Sequence, residues 1–199
     1  MFTFFQKGGP IMWPLLITSL VALTIVVERM IFTVREKMKR QPQVIEDVLS
    51  YVELGDLNQA IQKGQGSDDF LVRTLIYALS HREKSLSSAV MRAANLELQR
   101  FNRGLSILDT IITLAPLLGL LGTVTGMIHA FGLLGASEMG SPIAITGGIA
   151  EALIATAFGL SIAILALIPF NYLNARLEEA RRQIEDLTSQ LELLLVPHS

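Results

Sequence analysis

The sequence predicts an all-α integral membrane protein with three transmembrane helices, two of them extended far into the cytoplasm, plus a small cytoplasmic helical region. Three observations lead there. Of the 199 residues, 51% are hydrophobic and only 17% charged, less charge than a water-soluble domain carries. The apolar residues are concentrated in three blocks, 11–27, 107–134 and 143–170. The stretch 35–103 between the first two has the composition of ordinary soluble protein. The organisation expected is an outer N-terminus and first transmembrane helix (1–34), a cytoplasmic helical region (35–106), a transmembrane hairpin (107–170) and a cytoplasmic C-terminal helix (171–199).

A membrane-crossing helix needs about 20 mostly apolar residues. The first block reaches that length because Met30, Ile31, Phe32 and Val34 continue it past Glu28 and Arg29. A cleaved leader is the alternative, since Lys7 precedes the run. Against it, Glu28-Arg29 follows the run where a leader needs a small-residue cleavage site. The second and third blocks are each long enough to span. The short stretch 135–142 makes them an antiparallel hairpin.

Orientation follows from Lys and Arg, which concentrate on the cytoplasmic side. Arg35, Lys37, Lys39 and Arg40 follow the first span, Arg100 and Arg103 precede the second, and Arg176, Arg181 and Arg182 follow the third. The other side carries Lys7 alone. The expected placement has the N-terminus outside and the C-terminus cytoplasmic.

Residues 43–54 and 56–63 read as a helical hairpin, with Gly55 stopping the first helix and Asp56 capping the second. A third helix covers 70–81. Ser85 to Ser88 offer N-caps, and no proline follows until Pro116. One helix from about Ser88 to Leu134 is therefore expected, roughly 70 Å long. The tail from Asn171 continues the third span. Its apolar positions Leu173, Leu177, Ile184, Leu187, Leu191 and Leu194 predict a face packed on other helices, with Glu178, Glu179, Arg181, Arg182, Glu185 and Asp186 as the solvated face. Pro116 and Pro169 predict kinks or ends.

Inside the spans, small and polar residues carry the information. Gly148, Ala152, Thr156, Gly159 and Ala163 recur at three and four, as do Gly119, Thr123, Gly126 and Ala130. Such stripes allow close helix packing. Each contains one threonine near mid-depth. Its hydroxyl either bonds back to its own helix or serves water and carboxylates passing through. Glu151 lies about 12 Å into its span. A carboxylate there costs roughly 2.5–3.5 kcal/mol to insert and belongs in the bundle interior or beside water. It is either a structural hydrogen-bonded acid or part of a proton path. Asp109 is a possible boundary acid, Glu28 and Arg29 read as an interfacial pair, and His129 lies toward the outer end of its span.

The run GLLGTVTGMIHAF at 119–131 and the run GIAEALIATAFGL at 148–160 resemble the second- and third-span motifs of the MotA/TolQ/ExbB proton-channel family, most like ExbB and TolQ. Flagellar MotA proteins are similar but have four spans. The resemblance implies a homopentamer surrounding the transmembrane helices of an ExbD/TolR-like partner dimer, which supplies the proton-carrying aspartate. Thr123, Thr156 and Glu151 match the family's pore-lining positions. Proton motive force would then drive a TonB- or TolA-like protein. The resemblance also implies the bacterial inner membrane, with a periplasmic N-terminus.

Net charge of −2 gives no nucleic-acid footprint, and membrane lipid is the expected surrounding. The chain has no cysteine, and its three histidines are scattered. No nucleophile–base pair, phosphate loop or metal cluster appears, so neither enzyme chemistry nor a cofactor is expected. The alternatives are a passive membrane scaffold and a flagellar-stator-like subunit. A small-solute transporter would call for internal repeats and interrupted spans.

Overall fold

The computed structural model describes residues 8–81, 85–136 and 142–195, with side chains of 133–136 and 142–145 set aside. Lys7, His198 and residues 137–141 lie outside these. Among the described residues the regular elements are all α-helices: α1 (Met12–Met38), α2 (Pro42–Glu53), α3 (Leu57–Gly64), α4 (Phe70–Ser80), α5 (Leu86–Asn102), α6 (Leu105–Ala136) and α7 (Pro142–Leu195). Three helical stretches, Met12–Met38, Leu86–Gly132 and Thr146–Leu195, are long and apolar enough to cross a membrane. Their apolar side chains stay largely uncovered, as at Ile17, Leu120, Ile164 and Ile168. In water that exposure would be costly; against lipid or another apolar helix it is not.

The chain divides into two compact units, Met1–Glu28 with Gly104–Tyr172 and Arg29–Arg103 with Leu173–Ser199. In the first, Ala22 packs with Leu108, Ile111 and Ala166, and Ile25, Val26, Ile162 and Phe170 surround them. The first part of α1 thereby lies against the α6–α7 hairpin.

The second unit has its own core. Val48, Val52, Phe70, Leu75, Leu79 and Val90 pack with Ile184, Leu187 and Leu191 from the tail of α7. The tail's apolar face is thus satisfied within its own chain. Two details differ from expectation. Ala180 is buried on that face, and Leu194 is 36% exposed. Arg181, Arg182, Glu185 and Asp186 are exposed, whereas Glu178 and Glu179 are half-buried. Glu179 pairs with Arg176 and Glu178 with Arg181.

The small helices start and stop where their caps dictate. Gly55, at φ +78°, follows α2, and the Asp56 carboxylate accepts from the Gln59 N–H at 3.0 Å. Asp69 is buried at the start of α4 and accepts from the N–H groups of Leu71 at 2.9 Å and Gln41 at 2.7 Å. The Arg40 guanidinium lies 3.2 Å from the same carboxylate. A capping acid therefore also ties the α1–α2 connection to α4.

Arg73 of α4 donates two bonds to Glu97 of α5, at 2.9 and 2.8 Å, and one to Glu36 of α1 at 3.2 Å. The bond to Glu97, opposed by burial, raises the Arg73 pKa above its ordinary value. Arg29 is buried too. It donates to the Arg100 carbonyl at 2.9 Å and lies over the Phe32 ring at 4.7 Å.

The unbroken helix expected from Ser88 to Leu134 is corrected. It starts at Leu86 under the Ser85 cap and stops at Asn102. Arg103 is extended, with ψ 127°, and Gly104 has φ +80°. The left-handed conformation, open to glycine at little cost, ends one helix, and the Leu108 N–H to Gly104 carbonyl bond starts the next. Proline is not the only stop signal. Conversely, Pro116 and Pro169 lie inside α6 and α7 and end neither.

Candidate functional site

The centre of the first unit is the contact between α6 and α7. A Cβ placed on Gly148 would lie 2.7 Å from the Ala130 Cβ, and one on Gly126 would lie 3.0 Å from the Ala152 Cβ. A Cβ on Gly119 would lie 3.0 Å from the Thr156 Cα, and one on Gly159 only 2.5 Å from the Ala115 carbonyl oxygen. Numbers rise on one helix as they fall on the other, so the pair is antiparallel. Backbone meets backbone at the Gly119–Gly159 end, a separation that larger residues would prevent.

Gly119, Gly126, Ala130, Gly148, Ala152 and Gly159 lie on the facing surfaces. Ala163 is buried. Two facing residues were missed. Gly122 meets Ala155, where a Cβ would come within 2.5 Å of the alanine methyl. At 100° per residue, positions 119, 122, 126 and 130 fall within about 80° and the set with Thr123 in place of Gly122 within about 60°, while the two α7 sets spread equally, so spacing alone does not single out Gly122 or Ala155.

The two threonines are placed differently. Thr156 donates across the contact to the Gly119 carbonyl at 2.8 Å. Thr123, one turn along α6 from Gly119, donates to the Leu120 carbonyl of its own helix at 2.7 Å. It lines an open groove with Val124, Met127, Ile128 and Phe131. Both hydroxyls keep acceptor lone pairs after donating.

Glu151 lies beside this contact rather than in it. Its carboxylate rests against Gly9, just ahead of α1: a Cβ on Gly9 would stand 1.8 Å from Oε1. A cavity of about 570 Å³ adjoins it, lined by Gly8, Pro10, Thr125, Gly126, His129 and Glu151 among others. Sequence periodicity gave no hint that the segment before the first helix reaches this acid. Asp109 is exposed on α6, and its carbonyl accepts from the Thr113 hydroxyl at 3.2 Å.

Comparison with known proteins bears on this arrangement directly. A model of the MotA/TolQ/ExbB proton channel family matches residues 62–186, which include both motifs. A Synechocystis protein named as ExbB-like 1 is 39% identical over 197 residues, covering 96% of this chain and 77% of its own. The biopolymer transport protein ExbB of Neisseria meningitidis is 30% identical over 215 residues, covering 96% of this chain and 95% of its own. The Tol-Pal system protein TolQ of Haemophilus influenzae is 33% identical over 116 residues, covering 56% of this chain and 51% of its own. With its close-packed, threonine-bearing hairpin inside the matched region, the chain belongs to the MotA/TolQ/ExbB proton channel family.

Proposed function

We propose that this chain is the proton-channel subunit of an inner-membrane energy-transducing complex of the ExbB/TolQ kind. In this reading the subunits form a pentameric ring around the membrane helices of an ExbD/TolR-like dimer. The partner supplies the main proton-carrying acid, because the described α6–α7 hairpin holds one acid, Glu151, well inside its apolar stretch. Thr123 and Thr156 offer hydroxyls to the passing proton, and Glu151 takes part on the outer side. The N-terminus is periplasmic and the tail cytoplasmic, as the Lys and Arg flanks favour. A proton crossing 100 mV releases about 2.3 kcal/mol, enough to bias a mechanical step that a TonB- or TolA-like protein passes on. No covalent chemistry is involved.

The observation that carries this reading is the pair of threonines on a close-packed apolar hairpin. Thr156 reaches across to Gly119, and Thr123 borders an open groove one turn away. The test is proton uptake into liposomes that contain the chain with its single-span partner. The Thr123→Val and Thr156→Val double variant is expected to assemble rings and lose uptake. Thr156→Ser, which keeps the hydroxyl, is expected to conduct. Undiminished uptake in the double variant would remove the threonines from the path, and uptake absent even in the unaltered complex would favour a passive scaffold.

A further inference from the structure

The cavity beside Glu151 contains a second titratable group, His129. Register puts the two side chains at similar depth. Gly126 meets Ala152 and Ala130 meets Gly148, so Glu151 is level with about residue 127. His129 lies two residues farther on, roughly 3 Å along the axis. The cavity volume of about 570 Å³ exceeds many times the roughly 30 Å³ that a water molecule takes in the liquid. The Thr125 hydroxyl, on the same wall, donates to the Leu121 carbonyl at 2.9 Å and keeps its lone pairs for water.

The opposite wall comes from the segment ahead of α1 and its first turn. Gly8, Pro10, Ile11 and Pro14 line it and bring no titratable group. Gly9 has φ +71°, which disfavours any side chain, and its missing Cβ is the space the Glu151 carboxylate occupies. A residue with a side chain at position 9 would both strain the backbone and push the carboxylate aside.

We propose that this cavity is a hydrated antechamber in which His129 exchanges protons with Glu151 through water, and that Gly9 is the positioning residue that holds Glu151 there. The inference rests on the proton-channel reading and names its outer access point. The step balances. The His129 imidazolium gives an N–H proton to a water, which passes one of its own to the Glu151 carboxylate. Neutral imidazole and carboxylic acid result, and the reverse step restores the pair. Among the described lining residues, His129 on α6 and Glu151 on α7 are the titratable groups.

Two measurements test it. The chain has no cysteine, so Thr125→Cys places a single thiol in the cavity. A charged, membrane-impermeant methanethiosulfonate should label it in the assembled complex at least tenfold faster than Ile164→Cys, which stands 59% exposed on an apolar face. Equal, slow rates would overturn the hydrated cavity. In liposomes, His129→Gln should assemble normally and change the shape of the rate–pH profile of uptake. Gly9→Ala should slow uptake several-fold with rings intact. If the unaltered complex conducts but His129→Gln keeps its whole profile, the relay fails and the channel reading stands. If the unaltered complex does not conduct, the channel reading itself fails, while thiol labelling still decides whether the cavity holds water.

Discussion

The Thr156 hydroxyl donates to the Gly119 carbonyl at 2.8 Å, joining two membrane helices beside the close approach of Gly119 and Gly159. That carbonyl belongs to a glycine, so nothing shields it from the neighbouring helix. Hydrogen bonds of this kind between membrane helices contribute about 0.6 kcal/mol on average and at most about 1.7. Thr156→Val is expected to lower the melting temperature of the detergent-solubilised protein slightly, and Thr156→Ser to restore it. A large loss from the valine variant alone would mean that the bond matters more than its class allows.

Gly159→Ala should be more damaging than any threonine change. The added methyl would stand 2.5 Å from the Ala115 carbonyl oxygen and 3.1 Å from the Gly119 Cα, both main-chain atoms that cannot rotate away. Separating the helices costs about 1–3 kcal/mol by analogy with overpacked cores. Gly132→Ala, where a methyl meets nothing within 4 Å, is the control and should melt like the unaltered protein.

Arg73→Leu should destabilise the helical unit outside the apolar hairpin. Glu36 and Glu97 have side chains only 7% and 12% exposed, and removing their shared cation takes the guanidinium from Glu36 and leaves Glu97 with Arg100, 3.0 Å away. Breaking a buried pair costs on the order of 3–5 kcal/mol. Arg73→Lys should recover part of this, because one ammonium cannot reproduce the two-pronged bond to Glu97. Denaturant titration in detergent checks both.

The same network sets a pH expectation. The Glu97 bond raises the Arg73 pKa above its ordinary value. A cation whose folded pKa is raised contributes stability that is fully present below its unfolded value, far above neutral pH, and lost only as pH rises through the folded one. Titration of Arg73 should therefore cause no stability loss between pH 6 and 9. A stability change in that window that disappears in Arg73→Leu would contradict this.

Asp69→Ala should loosen the start of α4. It removes the acceptor for the Leu71 and Gln41 N–H groups and leaves the Arg40 guanidinium without its carboxylate. Loss of a cap alone costs about 0.5–2 kcal/mol. Hydrogen exchange at Leu71 and Gln41 should rise together in this variant. A change at Leu71 only would show that the link to the α1–α2 connection carries little energy.

Much of this was legible beforehand because it depends on near neighbours in the chain. Asp56 and Ser85 cap helices where a polar acceptor precedes an apolar run, and Gly55 stops one. Gly104 carries the same kind of signal as Gly55, and the lack of a proline between Ser88 and Pro116 does not make a helix continuous. The packing stripes were readable as small residues. Whether Gly122 or Thr123 faces the partner helix depends on a rotation of 100° between successive residues, and a run rich in small residues tolerates several rotations.

The sequence by itself determined the three apolar helices, the tight antiparallel pairing of two of them, and the family whose motifs they carry. Composition, 3.6-residue periodicity and short motifs are properties of adjacent residues. Only the tertiary structure decided that Thr156 spends its proton on the Gly119 carbonyl while Thr123 turns to its own helix beside an open groove. It alone brought Gly9 against Glu151, two residues separated by most of the chain. That contact arises because the start of α1 packs on the hairpin, and packing between distant segments leaves no periodic trace in either one.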